Sequence, residues 1–199
     1  TGPEWMIHLH CTQKLYAKLP VNAVDRLPNT RARPIAANDP GESLLSGWHA
    51  NLITWQRRNC VLFVHSATRF PVLLTCLTKP DFAELDYHFQ DGLMNTLLKV
   101  GANQAQLDAA ANALTPLHCD TQCDRSVQGT LNHMKQDLDH LLWYDQLQIT
   151  DLAPYSAGGW LAQRPCMAKG VKDCIWPQRA MFALLDSANQ PHQLPASEV

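Results

Sequence analysis

Apolar residues alternate with polar ones at the start of the chain: in "MIHLHCT", Ile7 and Leu9 are set against His8 and His10, the period of a half-buried strand. "KLYAKL" then carries a short helical pattern that Pro20 stops, because proline disfavours helical geometry in the residue before it. From Val21 to Gly47 the chain is rich in Pro, Asn, Asp and Ser, with Leu44 and Leu45 its main apolar pair. A connection of that length inside a compact domain is usually functional, which makes it a candidate lid. The strongest strand signal follows: "HANLITWQ", the turn "RRN", "CVLFVHSA", the turn "TRF" and "PVLLTCL" form an antiparallel meander.

The period then lengthens. Phe82, Leu85, Phe89, Leu93 and Leu97 recur at three and four, predicting an amphipathic helix, or two pieces joined near Gly92, that stops at Gly101. "NQAQLDAAANAL" predicts a second, alanine-rich helix, and "TPLHCDTQC" a strand or extended link. A third helix starts at Asp124 or Ser126, either of which can cap free N–H groups. It runs to about Tyr144 with Val127, Leu131, Met134, Leu138 and Leu141 as its buried stripe. "WPQRAMFALL" reads as a last helix with Pro177 in its first turn.

Strands early and helices late predict an α+β fold, an N-terminal strand plus an antiparallel β-meander packed against three to four C-terminal helices. Residues 6–185 read as a single domain, 1–5 as a tag or extension, and 186–199 as a polar, disordered tail.

Composition adds mainly exclusions. At 199 residues and 46% hydrophobic, the chain can bury a core without covalent staples. A formal net charge of -2 gives no global basic field for nucleic acid, so any anion site has to be local. Seven cysteines at mixed spacings read as reduced thiols of a cytoplasmic protein. The longest apolar runs fall far short of the ~18 residues a membrane helix needs. No phosphate-binding glycine loop, dinucleotide fingerprint, nucleophile elbow or metalloprotease helix is present, so no cofactor is specified.

Candidate chemistry concentrates in "CDRSVQGTLNHM". Arg125, Gly129, Asn132 and Gln136 share a face of the third helix, beside the buried stripe. A mid-helix glycine costs about 1 kcal/mol against alanine, which suggests that a ligand or another strand approaches Gly129 closely. Free N–H groups at a helix start, with an arginine and a serine hydroxyl, make an anion site, although Asp124 would already satisfy the dipole there. His8 and His10 form a His-x-His pair with a metal-site spacing, or else the solvent face of an edge strand. Cys119 and Cys123 with His118 lack the fourth ligand of a closed zinc site, and Cys11 points into the core. Arg57 and Arg58 sit in a hairpin turn where solvated charge is ordinary, but they could hold phosphate, as could Lys14 with Arg69. Trp48, beside Gly47, is the tryptophan best placed to stack on a planar ligand.

Together, "MIHLHCTQKLYAKL", "GWHANLITWQRRNCVLFVHSATRFPVLL", "RSVQGTLNHM" and "GGWLAQRPC" resemble a bacterial family, domain of unknown function 6933, from Met6 to near Cys166. Cys11, Thr12 and Lys14 match its first motif, Gly47, Trp48, Ala50 and Asn51 its second, and Arg125, Ser126, Val127, Gly129 and Asn132 its third. The chain departs from that pattern at His49, at Gln128 and at His133, where an aspartate is expected. The resemblance implies no activity. Its polar positions Lys14, Asn51, Arg125, Ser126 and Asn132 lie on separate elements that a fold could bring into one pocket.

The expectation is a hydrolase acting on an anionic, phosphate-containing ligand. Lys14, Trp48, Asn51, Arg58, Arg125 and Asn132 would bind, Ser126 would orient, and His10 or His133 would serve as base. The alternative is a non-catalytic nucleic-acid or protein partner of a bacterial regulatory or defence system. A third possibility is that the polar set only fastens helix to sheet.

Overall fold

The computed structural model of the chain describes residues 6–28 and 43–190. The elements are β1 (Ile7–Cys11), α1 (Gln13–Tyr16), β2 (Trp48–Trp55), β3 (Arg58–His65), β4 (Pro71–Leu77), α2 (Lys79–Ala83), α3 (Leu85–Lys99), α4 (Gln104–Ala113), β5 (Leu117–Asp120), α5 (Arg125–Tyr144), a single 3-10 turn (Ile149–Asp151), α6 (Pro154–Ala162) and α7 (Pro177–Ser187). Five strands form one sheet in the order β4-β3-β2-β1-β5, so the fold is α+β. The three meander strands pair antiparallel, while β1 runs parallel to both β2 and β5. The expected N-terminal strand is therefore interior, not an edge. Most of the candidate lid, residues 29–42, lies outside the described residues, and α7 extends two residues into the expected tail.

Strand periodicity decides which face meets which helices. Ile7, Leu9 and Cys11 of β1, with Trp48, Ala50 and Leu52 of β2 and Leu117 and Cys119 of β5, point into a core shared with Leu85, Phe89, Leu93 and Leu97 of α3. The α3 face closes on β4 through Gly92, where a Cβ would stand 2.9 Å from both Leu74 Cδ2 and Val72 Cγ1. The glycine is a packing requirement; the helix runs unbroken through it, and the break falls earlier, at Glu84. On the opposite face Ile53, Trp55, Cys60, Leu62, Val64 and Leu73 bury against Val127, Leu131, Met134, Leu138 and Leu142 of α5. The stripe ends on Leu142, with Leu141 only partly buried.

That second face is divided. Its β2–β4 half is apolar and roofed by α5 and α6. Its β5–β1 half carries His8, His10, His118 and Asp120, all half-buried, with His49 of β2 at the border. Four histidines and a carboxylate on adjoining strands make this the polar part of the sheet.

Candidate functional site

Register builds the site. His10 stands opposite His49 on one side and Asp120 on the other, so three side chains lie in a row across β2, β1 and β5. His10 Nδ1 and Asp120 Oδ1 are 2.7 Å apart, which makes Nδ1–H the donor and the carboxylate the acceptor. The same Asp120 oxygen accepts the Gln122 backbone N–H at 2.8 Å. The His10 and His49 rings lie 4.8 Å apart.

His49 ties the row to the start of α5. Its Nε2 accepts the Asp124 backbone N–H at 2.7 Å, so Nδ1 carries the proton and donates to Ser66 Oγ at 3.0 Å. Burial, then the neighbouring His10, pulls its pKa down to about 4, so His49 is neutral at pH 7. Asp124 caps α5, accepting from Ser126 and Val127 N–H, and these bonds hold its carboxyl below the usual range. The capping role expected of Asp124 is thus its role here, and those two N–H groups are already satisfied.

The positive charge at this helix start comes from Arg69. It is only 5% exposed, donates from Nη1 to Ser66 O at 2.7 Å and from Nη2 to Ser126 Oγ at 3.0 Å, and keeps a buried Nε without a partner. Among the described residues no carboxylate lies within ion-pair distance of it. Burial lowers its pKa, with Asp124 opposing the shift, but a guanidinium stays protonated at neutral pH. Arg69 also sits at φ 63, a left-handed conformation that a non-glycine residue adopts at a cost. Ser126 Oγ accepts a second bond, from Lys169 N–H at 3.3 Å, so its own proton is available to donate outward.

Several expected residues gather here. Asn51 accepts from Thr12 Oγ1 at 3.0 Å, and the Cys123 thiol donates to the Cys11 carbonyl at 3.3 Å, fastening the ends of β1 and β2 beneath α5. Cys11's pKa is pushed up by its bond with Cys119 and by burial, and Cys123's by burial, so neither is activated as a thiolate. Lys14 and Arg125 are exposed near this end of the sheet, with no ion pair among the described residues. Asn132 is exposed further along α5.

Others lie elsewhere. Trp48 is fully buried, its Nε1 donating to Leu45 O at 2.6 Å and its rings packed on His65 and Phe89, so it is core and cannot stack on a ligand. Arg58 opens β3 opposite Trp55, six strand residues beyond His49 and so about 20 Å from it. His133 lines a separate cavity of about 310 Å³ with His140, Arg164 and Cys166, away from the His10–Asp120 pair. Among the described residues no strand approaches Gly129: a Cβ there would meet nothing within 4 Å. Asp120 is not among the expected site residues, although the alternation of "LHCD" places it on the face of His118.

Below this row His8 stands opposite His118, their rings edge to face at 5.2 Å, and one ligand-type atom each from His8, His118 and Asp120 lie within 4.8 Å of one another. No helix among the described residues is long and apolar enough to cross a membrane. A family model described as Domain of unknown function (DUF6933) matches residues 8–180, whereas no curated protein and no solved structure matches the chain.

Proposed function

The chain belongs to the DUF6933 family, whose description carries no chemistry, and from the site itself we propose a small cytoplasmic hydrolase acting on an anionic, phosphate-containing substrate. The observation that carries this reading is Arg69, a buried guanidinium without a carboxylate partner among the described residues, held against the first turn of α5. A buried charge is costly unless paired, and an anion would supply the missing partner. Arg125 opens the same helix, and the Lys169 backbone N–H reaches Ser126 Oγ from outside it. Ser126 Oγ–H would donate to the same anion.

The proton acceptor would be His10. With Nδ1–H committed to Asp120, Nε2 would be the nitrogen that takes a proton from an attacking water, the pair acting as base and orienter. His49, fixed in one tautomer and neutral, cannot compete for that proton and serves as a strut between strand and helix. Seven free cysteines without a disulfide fit a reducing compartment.

The non-catalytic alternative draws on a different region. Trp143 (74% exposed) and Tyr144 (80%) stand side by side at the end of α5, on a groove of about 690 Å³ that also takes in Gln56 of the β2–β3 turn, next to Arg57 and Arg58. Exposed aromatics beside arginines suit a stacked, single-stranded nucleic acid.

One experiment separates the two readings. Inorganic phosphate binding by calorimetry and turnover of a panel of phosphate esters are measured on wild type, Arg69→Gln and His10→Gln, alongside binding of a labelled single-stranded oligonucleotide to wild type and R57E/R58E. The hydrolase reading expects Arg69→Gln to weaken phosphate binding by about 1.5–3 kcal/mol, roughly ten- to a hundredfold, and His10→Gln to remove turnover while phosphate still binds. Unchanged phosphate binding in Arg69→Gln would sink it. Tight oligonucleotide binding lost in R57E/R58E would put the alternative in its place.

A further inference from the structure

Beneath the His10–Asp120 pair lie two histidines, His8 and His118, that have no part in the chemistry above. We infer that His8, His118 and Asp120 form a binding site for a divalent first-row transition ion, with open positions for water or substrate.

Parallel pairing of β1 and β5 sets His8 directly opposite His118, and the strand period returns Asp120 to the same face two residues later. Three donors therefore project from two neighbouring strands whose backbone is locked by the ladder. Their ligand-type atoms lie within 4.8 Å of one another. Metal–ligand bonds of about 2.0–2.2 Å place ligand atoms roughly 3.3 Å apart in a tetrahedron, so side-chain rotation of about an ångström closes the set without moving a strand.

The hydrogen-bond inventory points the same way. Asp120 spends one oxygen, Oδ1, on both His10 Nδ1–H and Gln122 N–H, leaving Oδ2 without a partner among the described residues. A carboxylate held by one oxygen and free at the other is what a metal ligand with an outer partner looks like. His118 Nδ1 is buried with no hydrogen bond, while Nε2 lies 3.9 Å from Asp25 Oδ2. A buried imidazole nitrogen without a partner is a cost that a metal bond would remove. The His8 ring makes no hydrogen bond among the described residues and stands edge to face on the His118 ring.

Charge and ligand type select the ion. Two neutral imidazoles and a carboxylate suit zinc, or iron(II) in a two-histidine, one-carboxylate arrangement, and do not suit calcium or magnesium, which take all-oxygen shells. Three protein ligands leave at least one position open, as in catalytic rather than structural sites. The cysteines stand apart: Cys119 is on the opposite face of β5, and Cys123 is committed to Cys11 O.

The inference does not rest on the anion reading, and the two fail separately. The probe is Co²⁺, titrated into chelator-treated full-length chain and followed by visible absorption and calorimetry. One ion per chain is expected, with d–d bands of a nitrogen/oxygen shell and no thiolate charge-transfer band. His8→Gln and His118→Gln should each weaken binding more than about tenfold, with circular dichroism unchanged, while Arg69→Gln and His133→Gln leave it intact. Absence of saturable binding, a thiolate band, or loss of binding in His133→Gln instead of His118→Gln would each overturn the assignment. Should His118→Gln unfold, the wild-type spectrum and the His8→Gln affinity decide alone. Phosphate binding lost in Arg69→Gln with no Co²⁺ site anywhere would leave the anion reading standing without this one.

Discussion

Two histidines are held neutral inside this protein, and acid should expose the cost. His49 is 3% exposed and accepts the Asp124 N–H; His65 is 1% exposed, donates from Nε2 to Ser46 O at 3.1 Å and accepts from Thr68 Oγ1 at 2.9 Å. Burial first of all lowers both from 6.5 to about 4. A folded-state pKa below the unfolded one means that the unfolded chain binds more protons between the two values. Stability is then complete above about pH 6.5, falls as the pH is lowered, and levels off below about 4. At pH 5 each histidine costs about 2 kcal/mol, and the pair about 4 kcal/mol. That is a large part of the ~5–15 kcal/mol of a typical domain, and in a chain of this size it lowers Tm by about 8–16 °C.

The measurement is urea unfolding followed by tryptophan fluorescence at pH 7.5 and pH 5, on wild type, His49→Gln and His65→Gln. Each variant should lose about half of the pH-dependent difference attributed to the pair, whatever its stability at pH 7.5, because subtracting the pH difference of the variant from that of wild type cancels the other titrating groups. The same difference in all three proteins would refute the reasoning. A local effect should come first. Protonating His49 Nε2 removes the acceptor for Asp124 N–H, so phosphate affinity at the α5 start should decline at a pH where the far-ultraviolet spectrum is still native.

Two smaller tests address the helix itself. Gly129→Ala should stabilise the protein by up to about 1 kcal/mol in thermal melts, since a Cβ there meets nothing and alanine is the better helix former; destabilisation would show that something does approach this turn. Asp124→Ala should cost about 1 kcal/mol or more in the same melts, because Ser126 N–H and Val127 N–H lose their acceptor; no change would mean that the cap contributes nothing.

The elements were legible wherever one period dominated. The α3 stripe of Phe89, Leu93 and Leu97 and the alternation of β1 were readable because each turns a single face to a single core. The position of β1 between β2 and β5 was not readable, since parallel pairing carries no turn signal and the partners are more than 30 and 100 residues away. His10 and Ser126 were identifiable as polar residues in motifs and Arg69 as a possible phosphate holder, but Asp120 and His49 acquire their roles from cross-strand register, and Arg69 its Ser126 partner from the packing of the β3–β4 turn on α5, which local sequence does not encode. Trp48 misled because a glycine neighbour suggests an open turn, whereas the strand parity of β2 sends its ring inward. His133 misled because helical spacing fixes a face without saying which neighbour that face meets.

Residue 8 meets residue 118, and residue 10 meets residue 120, across a loop of 110 residues. Closing so long a loop is entropically slow to repay, and the β1–β5 ladder is among the contacts that raise the contact order of this fold. The whole meander and four helices lie within that loop, so the carboxylate reaches its histidines only when both ends of it have docked. Any signal from this corner, an absorption band or a turnover rate, is therefore a readout of the finished fold, and no fragment that lacks either β1 or β5 should produce it.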